Sequence, residues 1–150
     1  MQRAVKLITS VFYLGHIPVM PGTMGSLGAL WLYYAVKNNI SAYIITTAVI
    51  FLAGIFLSSL SEKIYGKKDP KEVVIDEACG MMLSLIFLPY SIWIVITGFF
   101  LFRLFDIIKP PPLRKMEALP GAFGIMLDDI AAAIYTNIIL QILTRIFHLT

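Results

Sequence analysis

The stretch YIITTAVIFLAGIFLSSL, Tyr43 to Leu60, contains no charged residue and no proline. As a helix rising 1.5 Å per residue it is about 27 Å long, close to the roughly 30 Å of hydrocarbon in a bilayer. It lies within a longer uncharged run, Asn38–Ser61, and two more such runs flank it, Leu7–Val36 and Ala78–Phe102. A fourth, Ile130–Thr144, is shorter and spans only if its ends reach the headgroup zone. The whole chain of 150 residues is 59% hydrophobic and 14% charged, against roughly 45–50% and about 25% for soluble domains. Disorder is excluded, and a chain this short cannot bury so much apolar surface within itself. The competing reading, a soluble bundle of very apolar helices, leaves charge-free runs of this length unexplained. The expected fold class is all-α: a small polytopic helical membrane protein with broken or re-entrant helices, as one domain over 1–150.

Two of the runs are interrupted. Leu7–Val36 carries Gly15, Pro18, Pro21, Gly22, Gly25 and Gly28, a density that marks an irregular loop. A helix is expected to restart with Ser26 as N-cap and run through Leu27–Val36. Ala78–Phe102 holds Pro89-Tyr90-Ser91 in its middle, which suits a helical hairpin dipping into the membrane. Arg3, Lys6 and Leu7–Leu14 resemble a secretory signal, but His16, Pro18 and Pro21 follow and no small-x-small site appears, so no cleavage is expected. Lys63, Lys67, Lys68 and Lys71 fall in one loop, and Lys109, Arg114 and Lys115 in another. Such loops stay cytoplasmic, and Arg3 and Lys6 put the amino terminus on the same side. The net charge of +3 has no Lys/Arg run behind it, so no nucleic-acid partner is expected. The single cysteine, Cys79, forbids an internal disulfide.

All nine carboxylates lie between Glu62 and Asp129, and five sit at the edges of apolar segments: Asp76, Glu77, Asp106, Asp128 and Asp129. Ionisable groups there are expensive and usually functional. The topology above brings all five to one membrane face, where they repel one another. A divalent cation removes the conflict. Ligands that are all oxygen suit Mg²⁺, Mn²⁺ or Ca²⁺ and not zinc, and His16, His148 and Cys79 are too scattered in sequence to form a zinc set. The plainer reading is that Asp76-Glu77 and Asp128-Asp129 each open a helix as caps. One cap does not need two acids, however. Arg103 and Lys109 flank Asp106 at three residues on either side and share a face if the segment is helical. They read as salt-bridge or headgroup partners, or as holders of a substrate phosphate. Pro110-Pro111-Pro112 ends that helix. Pro21-Gly22-Thr23-Met24-Gly25-Ser26 offers backbone N–H groups and the hydroxyls of Thr23 and Ser26 to an anion, although it lacks the nucleotide-loop ending. Gly121-Ala122-Phe123-Gly124 is a second flexible entry to a helix.

Four stretches, in order, together resemble the phosphatidylglycerophosphatase A family of bacterial membrane enzymes. They are Pro21–Ser26; Asp69-Pro70 with Val73–Glu77 and Gly80; Phe102–Pro112; and Gly121–Ala132. Ala133 departs from the family's pattern, where glycine is expected. The resemblance implies an all-helical, Mg²⁺-dependent phosphatase of the bacterial inner (cytoplasmic) membrane, with its site facing the cytoplasm. It would remove the terminal phosphate of phosphatidylglycerophosphate, its phospholipid substrate. Mg²⁺ would be held by Asp76, Glu77, Asp106, Asp128 and Asp129. Asp76, Asp106, Asp128 and Asp129 would be catalytic, and Thr23, Ser26, Arg103 and Lys109 would bind substrate. Other lipid-phosphate chemistries lack their marks: there is no Ser-Gly-His, no Asp-x-Asp, and Leu85 stands where a cysteine phosphatase needs arginine after Cys79. Two readings outside enzymes stand beside it: a small membrane cation carrier or channel subunit, and a protein that binds anionic lipid without turnover.

Overall fold

The computed structural model of the protein describes residues 2–117, 119 and 121–147. Among these are seven α-helices and no strand. They are α1 (Gln2–Thr9), α2 (Pro21–Val36), α3 (Ile40–Tyr65), α4 (Ile75–Ser84), α5 (Ile92–Ile108), α6 (Leu113–Glu117) and α7 (Ala122–Ile146), with a 3₁₀ turn, Leu14–His16, before α2.

The uncharged run around Tyr43–Leu60 becomes α3, 26 residues or about 39 Å long. Asn39 caps it, its Oδ1 accepting from the Ala42 N–H at 3.0 Å, and Gly66 at φ 67° ends it. Only 17% of its most apolar stretch is buried, and Ile45, Val49, Leu52 and Phe56 are exposed. A core helix of a soluble protein would be covered, so this surface fits a hydrocarbon environment. α7 has 25 residues and packs against α3, α4, α5 and α6. It still leaves Ile134, Ile138, Ile142 and Ile146 exposed at four-residue spacing, one apolar stripe along the helix.

The hairpin expected in Ala78–Phe102 is present. α4 has 10 residues, eight of them buried, and at about 15 Å it reaches only halfway across a bilayer. α5 follows after the break at 85–91. A helix that stops in apolar surroundings leaves its last carbonyls without partners. Here side chains of the long helices meet them. The Tyr43 hydroxyl donates to the Met82 carbonyl, and Asn137 Nδ2 donates to the Ser84 and Ile86 carbonyls at 3.0 and 2.9 Å.

The glycine segments differ from expectation. α2 starts at Pro21, not after Ser26. Proline suits the first helical position, where its missing N–H is no loss. Ser26 lies inside the helix and donates to the Gly22 carbonyl at 3.0 Å. The glycines permit close packing: a Cβ on Gly25 would stand 2.7 Å from Val74 Cβ and 2.8 Å from the Val74 carbonyl oxygen. α7 likewise starts at Ala122, leaving only Gly121 outside it, at φ 63° and ψ −150°, a region open essentially to glycine alone. Asp128 and Asp129 therefore stand beyond the first turn and cap nothing.

α2, α4 and α7 begin, and α3 and α5 end, at the same end of the molecule. Of the 12 Lys and Arg residues, only Lys37 and Arg145 lie at the other end, and no described acid does. Aromatic groups mark that far boundary. Tyr34 and Tyr90 meet edge to face with ring centroids 5.8 Å apart, and Lys37 Nζ lies 3.8 Å from the Tyr90 ring centroid.

Candidate active site

A cavity of about 400 Å³ opens at the charged end, within the roughly 300–1,000 Å³ usual for ligand sites. All five acids named from the sequence line it. Asp76 and Glu77 come from the first turn of α4, Asp106 from the last turn of α5, and Asp128 and Asp129 from the second turn of α7. Residues more than fifty positions apart meet because α4 packs along both α2 and α7. A side chain on Gly80 would collide with that seam, its Cβ 2.6 Å from the Phe102 ring and 3.1 Å from the Asp129 carbonyl oxygen.

Asp76, Glu77 and Asp129 each present a carboxylate oxygen within 4.8 Å of the other two. Four oxygens are buried without a hydrogen-bond partner: Asp76 Oδ1, Glu77 Oε2, Asp128 Oδ1 and Asp129 Oδ2. Buried polar atoms are nearly always satisfied, and a buried charge needs a counter-charge. Burial, with Glu77 and Asp129 alongside, pushes the Asp76 carboxyl well above the usual range. Burial raises Glu77 as well, with Asp106 adding to the effect and Arg103 opposing it. A hard divalent cation fits these oxygens. No histidine or cysteine lines the cavity among the described residues. His16 bonds Tyr65 at 3.2 Å, and His148 lies outside the described residues. Cys79 is fully buried and does not reach the cavity wall.

Two cations are built in beside the acids. Arg103 Nη1 donates to Asp106 Oδ2 across one turn of α5. Lys109 does not share that face. It leaves the helix as C-cap at φ 48°, crosses to α7, and places Nζ 2.7 Å from Asp128 Oδ2. The start of α2 presses on the same cluster, since a Cβ on Gly22 would lie 2.2 Å from Glu77 Oε1 and 3.0 Å from Arg103 Nη1 and Nη2. Thr23, Ser26 and Arg103 are not on the cavity wall. Thr23 keeps a buried, unpartnered hydroxyl, whereas the Ser26 hydroxyl is taken by its own helix.

The loop between α3 and α4 adds Lys68, Asp69 and Lys71 to the cavity wall. In the sequence these lysines speak only to sidedness. Their nearness to Asp76 along the chain was the available signal.

The sequence profile of the family described as Phosphatidylglycerophosphatase A matches residues 7–144. A Bacteroides thetaiotaomicron protein provisionally named a phosphatidylinositol-3-phosphatase is 37% identical over 145 residues, covering 91% of each chain. A Haemophilus influenzae protein named phosphatidylglycerophosphatase A is 37% identical over 139 residues, 90% of this chain and 85% of its own. One of that name from Escherichia coli is 34% identical over 137 residues, 89% and 80% of the two chains. No solved structure matches the chain.

Proposed function

The chain belongs to the phosphatidylglycerophosphatase A family, and from that premise we propose that it hydrolyses the terminal phosphate of phosphatidylglycerophosphate to phosphatidylglycerol, with Mg²⁺, at the cytoplasmic face of the bacterial inner membrane. One observation carries the reading: four carboxylates, each with a buried and unpartnered oxygen, meet beside Lys109 at the acid-bearing end of an apolar helical bundle. The positive-inside rule supports the orientation, because that end carries nearly all the Lys and Arg. The names of the relatives specify two headgroups. In both, a phosphomonoester sits on a polyol joined to diacylglycerol by a phosphodiester.

Asp76, Glu77 and Asp129, with Asp106 beside them, would hold Mg²⁺, which would neutralise the phosphoryl oxygens and polarise a water. Lys109 then faces the terminal phosphate, and its charge favours the crowded negative oxygens of the transition state. Asp128 is fixed through Oδ2 by Lys109, and its unpartnered Oδ1 accepts the proton of the attacking water. The water oxygen forms its bond to phosphorus as the bond to the headgroup oxygen breaks, and the proton taken by Asp128 passes to that oxygen to give the free hydroxyl of the product. Arg103, held by Asp106, adds positive charge behind that acid and against Glu77.

The test is phosphate release from phosphatidylglycerophosphate in detergent micelles. Mg²⁺ should be required, EDTA should abolish release, and Asp128→Asn and Asp129→Asn should each lower kcat by about 100-fold or more. Near-normal turnover in either folded variant, or in EDTA, would falsify the assignment.

A further inference from the structure

The cavity contains cations at two levels, and the phosphate that is cleaved accounts for only one of them. Lys109 is half-buried and held on the buried Asp128. Lys68 and Lys71 are exposed residues that line the same cavity from the loop between α3 and α4. Their neighbour Lys67 is engaged by Glu72 at 2.9 Å, whereas neither Lys68 nor Lys71 has an ion pair among the described residues. A cavity of about 400 Å³ is also larger than one phosphoryl group fills. A glycerophospholipid that ends in a phosphomonoester has a second negative phosphate, the diester that joins its headgroup to diacylglycerol. With the monoester among the acids, a short polyol holds the diester close by, toward the mouth. Lys68 and Lys71, with Asp69 between them in sequence, leave a net positive charge on the exposed part of the cavity wall, which suits such a diester.

We infer that Lys68 and Lys71 bind the phosphodiester of the substrate, and so select lipids that carry a diester in addition to the terminal monoester. This rests on the phosphatase reading and deepens it. Phosphatidic acid has the monoester alone and gains nothing from these lysines. The surrounding bilayer also offers anionic diesters, so the test needs a surface without them.

Kinetics are measured with Mg²⁺ in uncharged detergent micelles, for the wild type and the Lys68→Gln/Lys71→Gln variant. The two lipids are phosphatidylglycerophosphate and phosphatidic acid with the same acyl chains. Phosphatidic acid is followed as a competitive inhibitor where its turnover is slow. The KM for phosphatidylglycerophosphate should rise roughly tenfold, as for the loss of two exposed ion pairs. Its kcat and the constants for phosphatidic acid should stay within about twofold, and Lys68→Arg/Lys71→Arg should restore most of the KM. If the double variant is unstable, each single glutamine variant carries the test, with a shift of about threefold. Equal losses on both lipids, which would point to general surface charge, overturn the inference and leave the phosphatase standing. So does a loss in kcat alone, or no change. A wild type that releases phosphate from neither lipid overturns the phosphatase reading and this inference with it.

Discussion

Gly22 and Gly25, three residues apart on α2, serve different ends. At Gly25 a Cβ meets the backbone of Val74, which cannot step aside. The roughly 1 kcal/mol that alanine gains over glycine within a helix does not offset the ~1–3 kcal/mol of overpacking. Gly25→Ala should therefore lower the melting temperature in detergent. At Gly22 the obstacles are the tips of Glu77 and Arg103, which can swing away. Gly22→Ala should keep the melting temperature and lose about tenfold or more in kcat, because the tips that swing belong to the site. Equal effects in the two assays would contradict this division. The sequence marks this segment but reads as a loop where α2 begins. Glycine-rich composition looks like a loop, and only the approach of α4 explains why the first turns of a helix need missing side chains. The five acids were legible because charge at the border of an apolar run is conspicuous. Lys109 was legible as a cation but not as the partner of Asp128, because its departure from the helix axis is set by a left-handed cap.

At the scale of the helix, α4 is the unit that the site hangs from. Its acids open it at the charged end, and Tyr43 and Asn137 close it about 12 Å away by helical rise. Replacing Asn137 with leucine removes both donors at once. Each buried carbonyl left unmade costs about 1–3 kcal/mol, so Asn137→Leu should unfold at a clearly lower temperature than wild type, while Asn137→Gln loses less. An unchanged melting curve for Asn137→Leu would mean that water or another donor meets those carbonyls. The break in Ala78–Phe102 could be read from Pro89, but its partners could not. A lone asparagine in an apolar run gives no hint of which carbonyls it will meet from across the bundle.

For the whole molecule, the governing feature is a charged end and an apolar remainder. Orientation can be read with the native Cys79 in place, since that thiol is fully buried. Lys115→Cys at the charged end should react with a membrane-impermeant maleimide in inside-out vesicles and not in intact cells whose outer membrane is permeabilised. Asn38→Cys at the far end should show the reverse. The opposite pattern would turn the protein over and place its cavity outside the cytoplasm. The polytopic character and the basic loops were readable from charge spacing alone, because the bilayer sorts residues so strongly. Which helices are central was not readable. α3 and α7 have similar length and composition, yet α3 stays mostly exposed while α7 is enclosed on several sides.

The polar clasp on the far end of α4 means that residues with no chemical part in the reaction hold its participants in register. A random mutagenesis screen for failed phosphate release should therefore return a second crop of hits, centred on Tyr43 and Asn137 and deep in the greasy interior. Sorting mutants by distance from the acid cluster would discard them as bystanders.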